Sequence, residues 1–356
     1  SIILKSEIAL ATERLSFLLS LFFSKRRLVI FIFEKKPLSI CFPNSNLFKT
    51  FMFLALFAFP EPSFSGVVLL YHHVADDTPA LTSITTAQFE RHLKTIEEKG
   101  YQVVPLESLV QTSLASFTLD KKVAITFDDG YKNILTNALP LLKKRDWPFT
   151  IFVSTKFVGI SKSYLSWADL HYLEQNGATI GNHTHSHAHL VRRGDNEVEE
   201  EWLARVESEI ITAKEILNTK GHNSKVFAYP YGEYNEEVRN IVRKLGMIGF
   251  GQQSGAAGPH SDPLILPRFP LAGAYTGIEA LRDKLGSLAM PLETRYQPPL
   301  ITENLSPTLL LEFTDPSIRV ENVNCFGPGG IMKVSKTSNT EILIKPKQDL
   351  PVGRSR

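Results

Sequence analysis

Five apolar segments of this 356-residue chain each run directly into unusual polar residues. VVLLY (67–71) ends at His72 and His73, and VAITF (123–127) at Asp128 and Asp129. ATIGN (178–182) ends at His183, with His187 four residues on. KVFAYP (225–230) ends at Tyr231 and LILP (264–267) at Arg268. Between these runs lie helix-patterned stretches at 86–99, 133–144, 167–175, 197–218, 233–245 and 278–285. In the first, Phe89, Leu93 and Ile96 fall at helical spacing behind Thr86, read as an N-cap, and Gly100 stops the helix. FTIFV (149–153) and MIGFG (247–251) add two more strand-like runs. Such alternation predicts parallel strands joined by helical crossovers, in a number that fits a (β/α) barrel. An open doubly wound sheet is the rival, and no GxGxxG follows the first strand to support a dinucleotide site. In a parallel barrel the C-terminal strand ends share one face, where active sites are built. All five polar groups fall at that face.

The chemistry these residues offer is specific. His183 and His187 in GNHTHSHAHL are four apart, as are His185 and His189, so spacing alone admits either pair as metal ligands. The first pair begins at the strand end and is preferred. Neutral imidazoles suit zinc and similar divalent ions. Asp128 and Asp129 diverge from adjacent positions, so one carboxylate can bind metal while the other takes a proton. Alone, DDG would read as a helix N-cap; beside the His pair it reads as a metal site.

Composition excludes other classes. The chain is 43% hydrophobic and 21% charged, ordinary for a globular protein. Its net charge is +2 without a long basic run, which gives no footing for nucleic acid. The two cysteines, Cys41 and Cys325, are too far apart for a CxxC zinc site, so His and carboxylates must hold any metal. Residues 1–46 read as a leader outside the fold. Segment 47–65, with Lys49, FMFLALFAF and then Ser63 and Ser65, has the layout of a secretory signal. A secreted, periplasmic or cell-surface protein is expected, without a stable membrane span once processed. The catalytic barrel is expected over 66–290. After it the texture turns all-β: LLLEF, IRVENV, IMKVS and EILIK predict a four-stranded C-terminal module over 296–356.

TFDDG (126–130), HTHSH (183–187) and AYPYGEYN (228–235) resemble the polysaccharide deacetylase family, the NodB-homology or carbohydrate esterase family 4 group. LLYHHV, GYQVVPLESL and LPRF are most similar to its poly-β-1,6-N-acetylglucosamine deacetylase branch. The resemblance spans roughly residues 66–285 and implies a deformed (β/α) barrel. It implies a divalent ion, zinc first, on Asp129, His183 and His187. It implies Asp128 as general base, His72 as general acid and Arg268 as the partner that orients Asp128. The Tyr231 backbone N–H would steady an oxyanion, with Pro230 beside it. The chain departs from the family where many members carry an arginine and this one has Ala228; Arg268 compensates from another strand end. His73 and, more remotely, His260 are rivals to His72. Tyr164 and Trp167 are candidates for packing on sugar rings, whereas Trp147 reads as core.

The implied reaction is metal-dependent hydrolysis of acetyl groups from a poly-N-acetylglucosamine-like polysaccharide. Peptidoglycan, chitin oligomers and acetylated xylan are alternative substrates on the same fold. A carbohydrate-binding protein with a dead site is the alternative of another class. Neither composition nor motif speaks to oligomeric state.

Overall fold

The computed structural model describes residues 65–115, 121–293, 304–327 and 330–351. The expected leader, Cys41 and all but Ser65 of the signal-like segment lie outside the described residues.

The central sheet has eight parallel strands: β1 (Val67–Tyr71), β4 (Gln102–Val103), β5 (Lys122–Phe127), β6 (Phe149–Val153), β7 (Ala178–Asn182), β8 (Val226–Ala228), β9 (Ile248–Phe250) and β10 (Phe269–Pro270). Their order is β10-β1-β5-β6-β7-β8-β9, with β4 also on β5. A short parallel pair, β2 (His73–Val74) and β3 (Ser83–Ile84), stands apart. The sheet is the deformed (β/α) barrel expected. The segment from Leu266 to Pro270 touches both of its edges. Leu266 bridges Phe250 on one side, and Phe269 pairs with Leu69 on the other. LILP is therefore not the strand expected. Pro267 lacks the N–H that a ladder needs, so pairing is a single bridge until Phe269.

Side-chain parity along the strands decides what faces the interior. Val67, Leu69 and Tyr71 pack outward with helix-borne Phe89, Leu93 and Ile96. Val68 packs inward with Ala124, Phe152, Val226, Ala228, Phe250 and Leu266. Both faces are covered, which is why these strands read as continuous apolar runs.

Seven α-helices are described: α1 (Thr86–Glu98), α2 (Leu106–Ala115), α3 (Leu139–Lys143), α4 (Trp167–Glu174), α5 (Glu199–Thr219), α6 (Glu236–Lys244) and α7 (Ile278–Leu285). The α1 cap is Thr85, one residue before the expected Thr86. Its hydroxyl accepts from Gln88 N while the Gln88 side chain accepts from Thr85 N, a capping box. The stretch expected as one helix over 133–144 opens as a π-turn at Ile134–Ala138 before α3. Pro140 cannot donate to the carbonyl four residues back, so regular α geometry starts only around it. Helix α6 starts later than expected because Asn235 caps it, its side chain accepting from Val238 N at 3.0 Å.

After the barrel, β11 (Leu309–Glu312), β15 (Glu341–Lys345) and β14 (Lys333–Lys336) form an antiparallel sheet in that order. A hairpin joins β12 (Phe326–Gly327) to β13 (Gly330–Ile331). IRVENV is not a strand: it forms a 3₁₀ turn at Val320–Asn322. Only Val320 of that run is buried, a single anchor rather than an alternating face. The module thus holds a three-stranded sheet rather than a four-stranded sandwich. It has its own core of Phe313, Val320, Ile342 and Ile344, and meets the barrel's last segment through a Leu292–Phe313 bridge. Because its core is separate, removing residues 296–356 should leave the barrel's cooperative melting transition in place. Loss of that transition on calorimetry would show that the sheet is part of the barrel fold.

Candidate active site

Parity and strain together build the site. Inward positions on β1 run Val68, Leu70 and then His72; those on β5 run Ala124, Thr126 and then Asp128. Each chemically active residue is the next inward step beyond its strand. His73 takes the outward parity. It is buried, stacks on Tyr131 (ring centroids 3.6 Å, 21°) and accepts from Asn133 Nδ2 at 2.9 Å. Burial and the neighbouring His72 push its pKa down to about 4. His73 is thus engaged on the outward side of the strand and is not on the cavity wall.

Asp129 would face outward, but its φ of 71° turns it back toward the cavity. Six non-glycine described residues have positive φ, and four of them are Asp129, Thr184, His187 and Tyr231. Such conformations cost about 1–3 kcal/mol each and collect where the surroundings hold a functional geometry. Gly130 (φ 73°) makes the turn after Asp129 possible; a Cβ there would sit 3.0 Å from Val153 Cγ1.

The histidine loop is anchored by residues that look like ligands in sequence. His185 Nδ1 lies 2.9 Å from Thr155 Oγ1, and its backbone N–H donates to Glu209 O at 2.9 Å. Ser186 donates through N and Oγ to the Glu209 carboxylate at 2.8 and 2.7 Å. His189 pairs with Glu233 at 2.8 Å and stacks on Tyr231 (3.8 Å, 9°). With those anchors set, His183 and His187 turn to Asp129. His183 Nε2 is 3.4 Å and His187 Nε2 3.2 Å from Asp129 Oδ1.

These three side chains fit a metal ion. Their ligand atoms lie within 4.8 Å of one another. Asp129 Oδ1 and His183 Nε2 are buried with no hydrogen-bond partner, a costly state unless something binds there. His183 Nδ1 lies 2.8 Å from Ala228 O, so Nδ1 carries the proton and Nε2 presents its lone pair to the gap. Burial opposes ionisation of Asp129, yet the His183 and His187 imidazoles hold its carboxyl well below the usual range.

Asp128 and Arg268, both fully buried, form a two-pronged ion pair: Nη1 to Oδ1 at 2.7 Å and Nη2 to Oδ2 at 2.8 Å. Arg268 Nε donates to Gly251 O at 2.9 Å, and the guanidinium lies over the Phe152 ring. Burial pushes the Asp128 carboxyl up, but the Arg268 guanidinium paired with it outweighs that and holds it low. Asp128 Oδ2 is 4.0 Å from His183 Nε2, beside the metal-type gap. His72 lines the same cavity, and its Nδ1 is buried without a partner. Burial lowers its proton affinity, with Asp128 and Asp129 countering.

The cavity measures ≈ 530 Å³. Tyr131, Phe157, Tyr164, Tyr231 and Tyr275 wall it, with Leu81 at the rim. Tyr164 is where the sequence placed it. Tyr131, Phe157 and Tyr275 carry no motif and were not anticipated, although Tyr131 directly follows DDG. Trp167 is corrected: it is absent from the cavity wall, begins α4, and packs against the barrel core beside His222 (6.1 Å). Pro230 is buried at the start of the turn that presents Tyr231. Trp147 packs against the core, as its sequence context predicts. His260 is turned to the C-terminal module, where it meets Thr314 Oγ1 at 3.2 Å.

The family pattern for polysaccharide deacetylase matches residues 116–249, which include Asp128, Asp129, His183, His187 and Tyr231. Over those residues the chain is similar to polysaccharide deacetylase domains. A Bacillus subtilis (strain 168) protein named for this family, YxkH, is 29% identical over 213 residues, 59% of this chain and 72% of the relative. The poly-β-1,6-N-acetyl-D-glucosamine N-deacetylase of Staphylococcus aureus (strain MRSA252) is 26% identical over 193 residues, 52% and 67% of the two chains. Two solved structures share the fold: the Streptococcus pyogenes deacetylase PplD, in complex with acetate, and IcaB from Ammonifex degensii. Each is 23% identical with a TM-score of 0.56 and covers 63% of this chain; the coverage of PplD is 99% and of IcaB 98%. The deacetylase pattern stops short of His72 and Arg268, so the placement of those two in the site rests on the strand parity and contacts above.

Proposed function

We propose that this deacetylase domain hydrolyses N-acetyl groups of a poly-N-acetylglucosamine-like polysaccharide with a divalent ion, zinc first, held by Asp129, His183 and His187. One observation carries the reading: the unpartnered Asp129 Oδ1, on the cavity wall, and His183 Nε2, 3.4 Å from it, lie next to a carboxylate that is itself clamped. When bound, such an ion polarises the acetyl carbonyl and acidifies water. The remaining roles fall to the chain. Asp128 stays deprotonated through its pair with Arg268 and accepts the proton of the attacking water. The Tyr231 N–H, held at a φ of 58°, donates to the developing oxyanion. His72 gives its proton to the departing nitrogen, which would otherwise be a very poor leaving group. Tyr131, Tyr164 and Tyr231 offer flat faces for the C–H sides of pyranose rings.

A polymeric surface glycan places the substrate outside the cytoplasm, and we infer a secreted, periplasmic or cell-surface enzyme. Among the described residues no helix is long and apolar enough to cross a membrane.

Acetate release measured over a panel of acetylated glycans tests the substrate. Poly-β-1,6-N-acetylglucosamine should be the best, ahead of chitin oligomers, peptidoglycan and acetylated xylan. A clear preference for any of those three would overturn the substrate assignment. Glycan binding without acetate release from zinc-loaded protein would leave a binding protein instead.

A further inference from the structure

A second cluster of metal-ligating side chains lies away from the cavity. His171 and Glu174 stand three apart on α4, so they share one helix face. His222 comes from the turn after α5, where Gly221 (φ 90°) reverses the chain. His222 is 2% exposed, and neither of its ring nitrogens has a hydrogen-bond partner. Glu174 Oε1 approaches Nδ1 to 2.9 Å, yet out of line for a hydrogen bond. The other oxygen, Oε2, lies 3.9 Å from His171 Nδ1, and the two imidazoles are 4.9 Å apart between centroids. One ligand atom from each residue falls within 4.8 Å of the others. A buried imidazole with both nitrogens unsatisfied is expensive, and a purely aromatic side chain would stack beside Trp167 as well. A cation joining the three groups explains why a histidine stands there.

We propose that His171, Glu174 and His222 bind a divalent transition-metal ion of the zinc type, in a structural site separate from the catalytic one. Two imidazoles and one carboxylate are a donor set of that class. The cluster lies just before the entries of β7 and β8, at the N-terminal end of the barrel. Residues at that end serve stability, whereas catalysis occupies the other. The ion would tie α4 to the end of α5. Glu174 also lines a hollow of ≈ 420 Å³ with Glu107, Asn223 and Ser224, from which water can complete the coordination.

The test is zinc binding to the whole chain, after stripping and dialysis against zinc alone, with metal counted per chain. His171 is largely exposed, so His171→Ala removes a ligand without opening the core, and Glu174→Gln repeats the test from a second ligand. Wild type should hold about two zinc ions, and each variant about one fewer, with the acetate-release rate unchanged. Zinc should also raise the melting temperature of wild type more than that of either variant, because a ligand that binds only the folded state stabilises it. Equal zinc content in wild type, His171→Ala and Glu174→Gln would overturn the site, whatever the wild-type total; a wild type holding one zinc that both variants lose would instead remove the metal from the catalytic cavity.

Discussion

Replacing His72 with asparagine should cut turnover by about two to four orders of magnitude, the usual worth of general acid–base catalysis. An amide nitrogen leaves only if it is protonated as the C–N bond breaks. His183 and His187 are turned to Asp129 and are committed to the metal-type gap. His185 and His189 are spent on Thr155 and on Glu233 and Tyr231. His73 is stacked on Tyr131, hydrogen-bonded to Asn133 and off the cavity wall. Of the cavity-lining histidines, His187 is turned to Asp129, and His72 keeps a buried nitrogen without a partner. The variant should keep its full metal content, because His72 belongs to no ligand set. His73→Asn should cost far less in rate, its loss being the stacking under Tyr131. If His72→Asn were metal-replete and fully active, His72 would drop out of the mechanism. If it melted early but kept its rate in the cold, its role would be structural.

Arg268→Met should destabilise the fold by about 3–5 kcal/mol, because it strands a fully buried carboxylate without its partner. Both members of the pair are 0% exposed. Arg268 also gives up its bond to Gly251 O and its contact with Phe152. The cost belongs to the unpaired charge more than to the lost attraction, so a second substitution should return much of it. Asp128→Asn combined with Arg268→Met should be more stable than Arg268→Met alone, read as a coupling energy from denaturant unfolding of the four forms. Strict additivity would mean that the pair does not interact energetically. Arg268→Lys should not rescue either property, since an ammonium cannot match both carboxylate oxygens. All these variants should be poor enzymes, because Asp128 loses its orientation or its charge.

The barrel was legible because its strands are buried on both faces and its polar residues sit where strands end. Parity then carries His72 and Asp128 to the interior, while Arg268, which no strand presents, is held there by Asp128 and Gly251 O. The limits had physical causes. Thr85 rather than Thr86 caps α1, since two adjacent threonines differ only in which one leaves the helical backbone region. LILP has strand composition, but Pro267 withholds the N–H. Spacing could not separate His183 and His187 from His185 and His189; the anchors on Thr155, Glu209 and Glu233 do so, and those come from the loop after β6, from α5 and from the turn before α6. Trp167 lay close in sequence to Tyr164 but was committed to the core by the helix that starts with it. The aromatic wall of Tyr131, Phe157 and Tyr275 carries no motif because it converges from three separate loops. The cluster at His171, Glu174 and His222 was likewise invisible, its members 51 residues apart at the extremes.

The most direct measurement is acetate release from poly-β-1,6-N-acetylglucosamine by metal-stripped protein during stepwise addition of zinc, run in parallel on His183→Ala. The stripped wild type should be inactive and recover in step with zinc bound at the cavity site, while His183→Ala stays inactive at every zinc concentration. Undiminished activity in the stripped wild type, or full recovery of His183→Ala with zinc, would contradict a metal held by Asp129, His183 and His187.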